Sequence, residues 1–311
     1  MVEIEHPPSH GVDPELLKEV RRLQIRSDRL VEDFMVGGWH SVFRGSGIEF
    51  DEVREWVEGD DIRSVDWNVT ARVGRPYVKK YVEERERTLC FLLDRSPAMS
   101  FGTRAANGKV RTLRRTAAEL CACLGLSAQR NADKVGFLGF GSGRDPYIPP
   151  KKGRPHLLRI LRECLAEPGR GPSDERSRGD FAEALRFLTR VQRRRSILFA
   201  ISDFSRPLPV HECRLAARKH DLILVPVHDP VQEEAPRAGL LALKGYGGGE
   251  GGWVDFSSRR VREVWNRRFK ERREAFFLEA RRVGADLLPL RTDRSVAQDI
   301  LAFFERREGR R

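Results

Sequence analysis

The sequence predicts an α/β fold: a doubly wound, mainly parallel sheet with helices on both faces, preceded by an N-terminal helix and a small α+β extension. Three observations predict it. Thr88–Leu93 (TLCFLL), Ser196–Ser202 (SILFAIS) and Leu222–Val227 (LILVPV) are near-continuous apolar runs of strand length. Unbroken runs, as opposed to alternating ones, belong to strands buried on both faces, as in parallel sheets. Segments of helical spacing separate them (Val110–Arg130, Pro155–Leu165, Asp180–Val191, Pro209–His220), and parallel strands need such crossovers. The acids Asp94 and Asp203 stand where the first two runs end, the place where open α/β sheets hold their ligands.

In chain order, Asp13-Pro14-Glu15 reads as an N-cap, a first-turn proline and a first-turn acid, opening a helix to Phe34. Gly37-Gly38 ends it. The stretch Gly38–Arg72 follows, in which charges alternate with Trp39, Phe43, Trp56, Ile62 and Trp67. Inside it Asp60-Asp61 precedes a short helix over Ile62–Val69. Tyr77–Val82 and Val135–Phe140 read as strands. Leu240–Leu243 and Trp253–Phe256 flank a glycine-rich turn, which predicts a hairpin-like excursion. That turn has no Lys-Ser/Thr pair and no helix directly after it, so it is not a phosphate loop. A long Arg-rich helix over Ser258–Val283, a strand over Asp286–Leu290 and a helix over Ser295–Arg307 close the chain. The expected division is residues 1–85 as helix plus extension and residues 86–311 as the α/β domain.

Composition narrows the function. The 58 Lys and Arg exceed the 46 Asp and Glu, a net charge of +12, which invites an anionic partner. The excess is mostly arginine spread along the chain, without an aromatic-interleaved basic motif. No apolar run approaches the ~18 residues of a membrane span. The acidic, proline-bearing start has no apolar core of a signal peptide. The expectation is a cytoplasmic protein with no membrane span. Five scattered cysteines without a CxxC pair read as reduced, buried small hydrophobes.

Candidate chemistry lies at the strand ends. Asp94 and Ser96 have the spacing in which a carboxylate and a loop hydroxyl face one hard cation such as Mg2+, and Ser202 and Ser205 flank Asp203. The alternative is that both acids only cap turns and helix N-termini. No G-x-S-x-G elbow or HExxH occurs, and Ser96 has no evident histidine partner; a hydrolase is the least favoured class. His40 and His228 read as hydrogen-bonded structural histidines, and Asp229-Pro230 as a turn. In the charged stretch, Arg44, Arg54, Arg63 and Arg72 interleave with Asp60, Asp61, Asp66 and other acids. That favours internal ion pairs over a bare anionic cage, with a partner-docking surface as the alternative and Trp39, Trp56 and Trp67 as anchors.

RGSGIEFDEVREWVEGDDIRSVDWNVTAR, followed by PYVKKYVEERERTLCFLLDRSPAMSFG, closely resembles the bacterial family called domain of unknown function 58. The match is carried by Gly45, Gly47, Glu49, Phe50, Arg54, Gly59, Asp60, Asp61, Arg63, Asp66, Trp67, Ala71 and Arg72, then by Asp94, Ser96, Met99, Phe101 and Gly102. The resemblance implies a von Willebrand factor A-like fold and a MoxR-type AAA+ ATPase as partner. It further implies a non-enzymatic role in assembling or maturing a client protein. Carried over by position, the metal-ion-dependent adhesion motif of such domains falls on Asp94, Ser96 and Ala98, then near Gly179 and Asp180, then on Asp203. Ala98 has lost a hydroxyl, so the resemblance implies a degenerate site that holds Mg2+ weakly, unless Asp180, Ser100 or water fills in. The rival class is a basic nucleic-acid-binding protein, with or without metal-dependent hydrolysis.

Overall fold

A computed structural model describes residue 21 and residues 48–83, 86–104, 110–143, 145–166, 180–243 and 252–309. The helix expected over Asp13–Phe34 lies outside these residues except for the helical Arg21, as do Trp39, His40, Arg44 and Gly179.

In the extension, β1 (Ile48–Glu55) pairs antiparallel with β2 (Tyr77–Glu83), from Ile48 opposite Glu83 to Glu55 opposite Tyr77. The helix expected over Ile62–Val69 is split. A 3-10 turn, Ile62–Ser64, is capped by Asp61, which accepts from the Arg63 N–H at 2.9 Å. Then α1 (Trp67–Val73) starts at Asp66, which accepts from the Asn68 and Val69 N–H groups at 3.0 and 3.3 Å. The sequence holds two N-cap acids, Asp61 and Asp66, and each starts its own element. Gly74, at φ 78°, ends α1 in the left-handed conformation that glycine reaches without strain.

The α/β part begins with β3 (Thr88–Asp94), then a small hairpin of β4 (Gly102–Arg104) and β5 (Val110–Thr112). Val110–Arg130 therefore is not one helix: its first three residues pair with β4, and α2 (Leu113–Arg130) starts from Thr112, whose hydroxyl accepts from the Arg115 N–H at 3.1 Å. Gly102 permits that pairing, since a Cβ there would lie 2.3 Å from the Arg111 carbonyl oxygen. Next come β6 (Lys134–Phe140), β7 (Tyr147–Lys151), α3 (Arg154–Leu165), α4 (Phe181–Val191) and β8 (Ile197–Ser202). They are followed by α5 (Val210–Lys219), β9 (Asp221–His228), the single turn α6 (Pro230–Glu233), and the expected antiparallel hairpin of β10 (Leu240–Leu243) and β11 (Gly252–Asp255). The chain ends with α7 (Arg259–Arg282), β12 (Asp286–Leu287), β13 (Leu290–Arg291) and α8 (Val296–Glu308). The strand expected over Asp286–Leu290 is thus two short pieces, both parallel to β9.

The central sheet runs β12-β9-β8-β3-β6-β7, with β13 also on β9. Every pairing in it is parallel except β6 with β7. Side chains alternate across it. Leu89, Phe91 and Leu93 of β3, Phe199 and Ile201 of β8, and Ile223 and Val225 of β9 pack with α2, α3 and α8. Cys90 and Leu92, Leu198 and Ala200, and Leu222 and Leu224 pack on the other side with α4, α5 and the C-terminal part of α7. Two apolar layers, one per face, make the doubly wound fold. All five cysteines are buried thiols outside any disulfide. Burial pushes the Cys90 and Cys213 thiols up to about 12, so they stay protonated hydrophobes.

Candidate functional site

The parallel strands β3, β6 and β8 end side by side, and their ends place four polar residues together. Asp94 closes β3 and is 7% exposed. In the β3–β8 register Leu93 lies opposite Ile201, so the next residues along are Asp94 and Ser202. The Ser202 hydroxyl donates to Asp94 Oδ2 at 2.7 Å, and the Ser96 N–H donates to Oδ1 at 2.7 Å. The Ser96 hydroxyl bonds the carboxyl as well. Burial lifts the Asp94 pKa above the ordinary carboxylate range; these hydrogen bonds oppose the lift and the charge of Asp203 adds to it. Asp203 Oδ1 accepts from the Ser205 N–H at 3.0 Å. The structure thus brings together Asp94, Ser96 and Asp203 as the sequence placed them, with Ser202 as their bridge.

Two backbone devices hold this arrangement. Phe204 sits at φ 44°, a left-handed conformation costly for a residue with a side chain; there its N–H donates to the Ser202 hydroxyl at 3.2 Å. Gly141, at φ 83°, closes the other side. A Cβ on it would come within 3.1 Å of Asp94 Oδ1 and 3.4 Å of Ser96. Beside them Arg95 is 6% exposed, its side chain crosses β6 where Gly139 leaves room, and it reaches Glu163 of α3 at 3.8 Å. Sequence reading passed over Gly141, Phe204 and Arg95; the FGSG run after β6 was the available signal for the first.

The donor set is short for a divalent cation, which takes about six oxygens. The Ser202 hydroxyl is committed to Asp94 and to the Phe204 N–H. The Ser100 hydroxyl accepts from Arg114 Nη2 at 2.6 Å, so a cation there would face a guanidinium. Asp180 is exposed at the start of α4. Among the described residues no three His, Cys, Asp or Glu gather as metal ligands. These residues do not fit a tightly held Mg2+.

The charged stretch forms a different kind of feature. Arg54 grips Asp60 with both terminal nitrogens at 2.7 Å, and that pairing, first, holds the Asp60 pKa below its usual range. Asp60 also accepts from the Val57 N–H at 3.0 Å, so the pair pins the turn after β1. Asp61 and Asp66 are caps. Arg63 and Arg72 are exposed and make no ion pair among the described residues. Among the described residues the expected ion-pair network includes the bidentate Arg54–Asp60 pair, a Glu55–Arg75 pair at 3.3 Å and the two caps. Trp56 is half-buried, with Nε1 donating to the Asp60 carbonyl at 3.3 Å. Trp67 is not an anchor: it is 67% exposed. It is the first residue of a seven-residue helix beside a two-stranded sheet, which has too little area to cover it.

Two further residues behave differently from expectation. His228 is buried, yet its Nε2 has no hydrogen-bond partner, and the nearest carboxylate, Glu233, stands at 3.8 Å. Asp229 is more than a turn residue. It is fully buried, caps α6 by accepting from the Val231 N–H at 3.0 Å, and accepts from Thr103 Oγ1 and Thr292 Oγ1 at 2.9 and 2.7 Å.

The model of the family described as protein of unknown function DUF58 matches residues 52–275. The uncharacterized proteins Mb1516 of Mycobacterium bovis and Rv1480 of Mycobacterium tuberculosis are each 31% identical over 312 residues, covering 98% of this chain and 95% of their own length. Among solved structures, an aerotolerance-related membrane protein from Bacteroides fragilis is similar at 15% identity and a TM-score of 0.46, over 72% of this chain and all of that one. The SpRpn10 VWA domain is similar at 11% identity and a TM-score of 0.36, over 70% of this chain and 94% of its own. Among the described residues of the present chain, no helix is long and apolar enough to cross a membrane.

Proposed function

We propose, for a chain that belongs to the DUF58 family, a non-enzymatic role as a protein-interaction and assembly factor whose working face is the set of strand ends around Asp94. The observation that carries this reading is the Asp94–Ser202–Ser96 cluster: a buried carboxylate held by hydroxyl and amide donors. Neither serine hydroxyl is bonded by a histidine among the described residues. His156 bonds the Val135 carbonyl, His220 receives the Ser196 N–H, and the His228 Nε2 bonds nothing. A nucleophile needs an adjacent base to act. Such a cluster, rigid and set at the ends of parallel strands, suits recognition. Mg2+ at Asp94 and Asp203 is at most weakly held, with Ser96 and water completing its shell.

The partner in this reading is a MoxR-type AAA+ ATPase, acting with this chain on a client protein. The reading draws on the resemblance of the signature stretch. Co-purification of the full chain with a MoxR-type ATPase of the same organism tests it, with ATP turnover measured with and without the chain. Capture, and a change in turnover that Asp94→Ala removes, is the expected result. Failure to capture the ATPase together with unchanged turnover would defeat the reading.

A further inference from the structure

A cleft of 210 Å³ opens beside Asp203, between the ends of β8 and β9 and the helix α7. Its walls are rings. Phe204, fixed in its left-handed conformation, stacks on Phe276 with 4.7 Å between centroids. Trp265 and Phe269 continue the wall toward the start of α7. Trp265, Phe269, Arg272 and Phe276 follow one another at helical spacing, so they share one face of α7. Open ligand pockets usually measure about 300–1,000 Å³. A cleft of 210 Å³ has room for one or two side chains, not for a cofactor.

Its charged groups are two arginines, Arg272 and Arg273, against one carboxylate, Asp203, with Ser205 and Gln232 neutral. Arg272 is exposed at the cleft and makes no ion pair among the described residues, whereas its neighbour Arg273 is held by Glu233. His228 lines the cleft with its ring, while its unpartnered Nε2 is itself buried. Around them α7 carries ten Arg and Lys against four Glu, a positive field that draws acidic partners.

We infer that this cleft docks an acidic peptide segment of a partner protein. One aromatic or branched apolar side chain enters among the rings, and an adjacent carboxylate pairs with Arg272. The inference rests on the reading of this chain as an interaction module and adds to it an adjoining contact surface, which shares Asp203 and Phe204 with the strand-end site, and the chemistry of what binds there.

Fluorescence anisotropy with the full chain tests it. The probe is a fluorescein-labelled hexapeptide of two glutamates, a phenylalanine, a leucine and two glutamates. Saturable binding is expected, weakened about tenfold by Arg272→Glu and by Phe269→Ala. Arg260→Glu, in the first turn of the same helix, should leave it unchanged. Circular dichroism melts establish that the variants fold. Four results would overturn the inference: no binding by the wild-type chain, equal binding by Arg272→Glu, equal binding of a hexaglutamate probe, or displacement by phenylacetate at the peptide's own concentration. Each stands whether or not the ATPase co-purifies. Peptide binding without ATPase capture would uphold the cleft and remove the ATPase from the proposed function.

Discussion

Replacing Asp229 with Ala should destabilise the fold by about 4 kcal/mol, as removal of one member of a buried, charge-assisted network does. The figure follows from its donors. The Val231 N–H, the Thr103 N–H, the Thr103 hydroxyl and the Thr292 hydroxyl all converge on two oxygens with no exposure to water. A hydrogen bond to a charged group contributes about 1.5–3 kcal/mol, and donors left unpaired cost more than donors removed. The total stays below the sum because water enters and neighbours relax. Asp229→Asn keeps one acceptor oxygen and should lose about half as much. Urea denaturation at pH 7 measures both. In a double-mutant cycle, Asp229→Ala with Thr292→Val should show coupling of about 1.5 kcal/mol. A loss under about 1 kcal/mol for Asp229→Ala, or additivity within ~0.5 kcal/mol in the cycle, would refute the account of Asp229 as the clasp between the β4–β5 hairpin, β9 and the loop after β13.

Four other outcomes are expected. His220 is 1% exposed and its Nδ1 accepts from the Ser196 N–H at 3.2 Å. Burial, then the Lys219 charge, lowers its pKa from 6.5 to about 4. The unfolded chain therefore takes up the proton first as pH falls, and stability is lost between those two values. The loss should be about 2 kcal/mol after solvent screening of the neighbouring charges. Urea titrations at pH 7 and pH 4.5 measure it, and a His220→Gln variant with the same pH dependence would contradict the assignment. Gly141→Ala should cost about 1–3 kcal/mol through its positive φ and the crowding of Asp94, and a neutral melt would count against the geometry drawn for the site. For Asp94→Asn the sign reverses. The folded pKa of Asp94 is raised, so the carboxyl's contribution is present below its unfolded pKa and lost as pH rises. The variant should therefore gain on the wild type between pH 4 and pH 7 in paired thermal melts; a relative loss over that range would overturn the sign. Calorimetry with MgCl2 should give a Kd above about 1 mM, and a micromolar site lost in Asp203→Ala would overturn the reading of the donor set.

The parallel strands were legible because each is buried on two sides and so reads as an unbroken apolar run. Asp94, Ser96 and Asp203 were legible because the last residue of such a run marks the strand end. Ser202 was visible only as a neighbour of Asp203. Its bond to Asp94 depends on the β3–β8 register, which one strand's sequence does not contain. Phe204 gave no sign, since a left-handed phenylalanine is held there by the Ser202 hydroxyl and by rings from other elements. The edge strand β7 hid behind two prolines in YIPPK, and β5 behind the helical pattern that continues from it. The aromatic face of α7 was masked by ten cationic side chains on the same helix. Trp67 misled because its setting beside a two-stranded sheet cannot be read from its type.

The sheet's borders constrain how this chain can meet a partner. At one border β7 contributes Pro149 and Pro150, which have no N–H to offer an incoming strand. Pro150 is also wedged against Gly136, where an added Cβ would lie 2.8 Å from its ring. At the other border β12 and β13 are two residues long each, too short to template a neighbour. Among the described residues, then, the central sheet resists growth by strand addition, and with it edge-to-edge polymerisation. A chain closed in this way can crowd together with copies of itself without fusing sheets. Its contacts are left to side chains, which release more readily than a shared hydrogen-bond ladder.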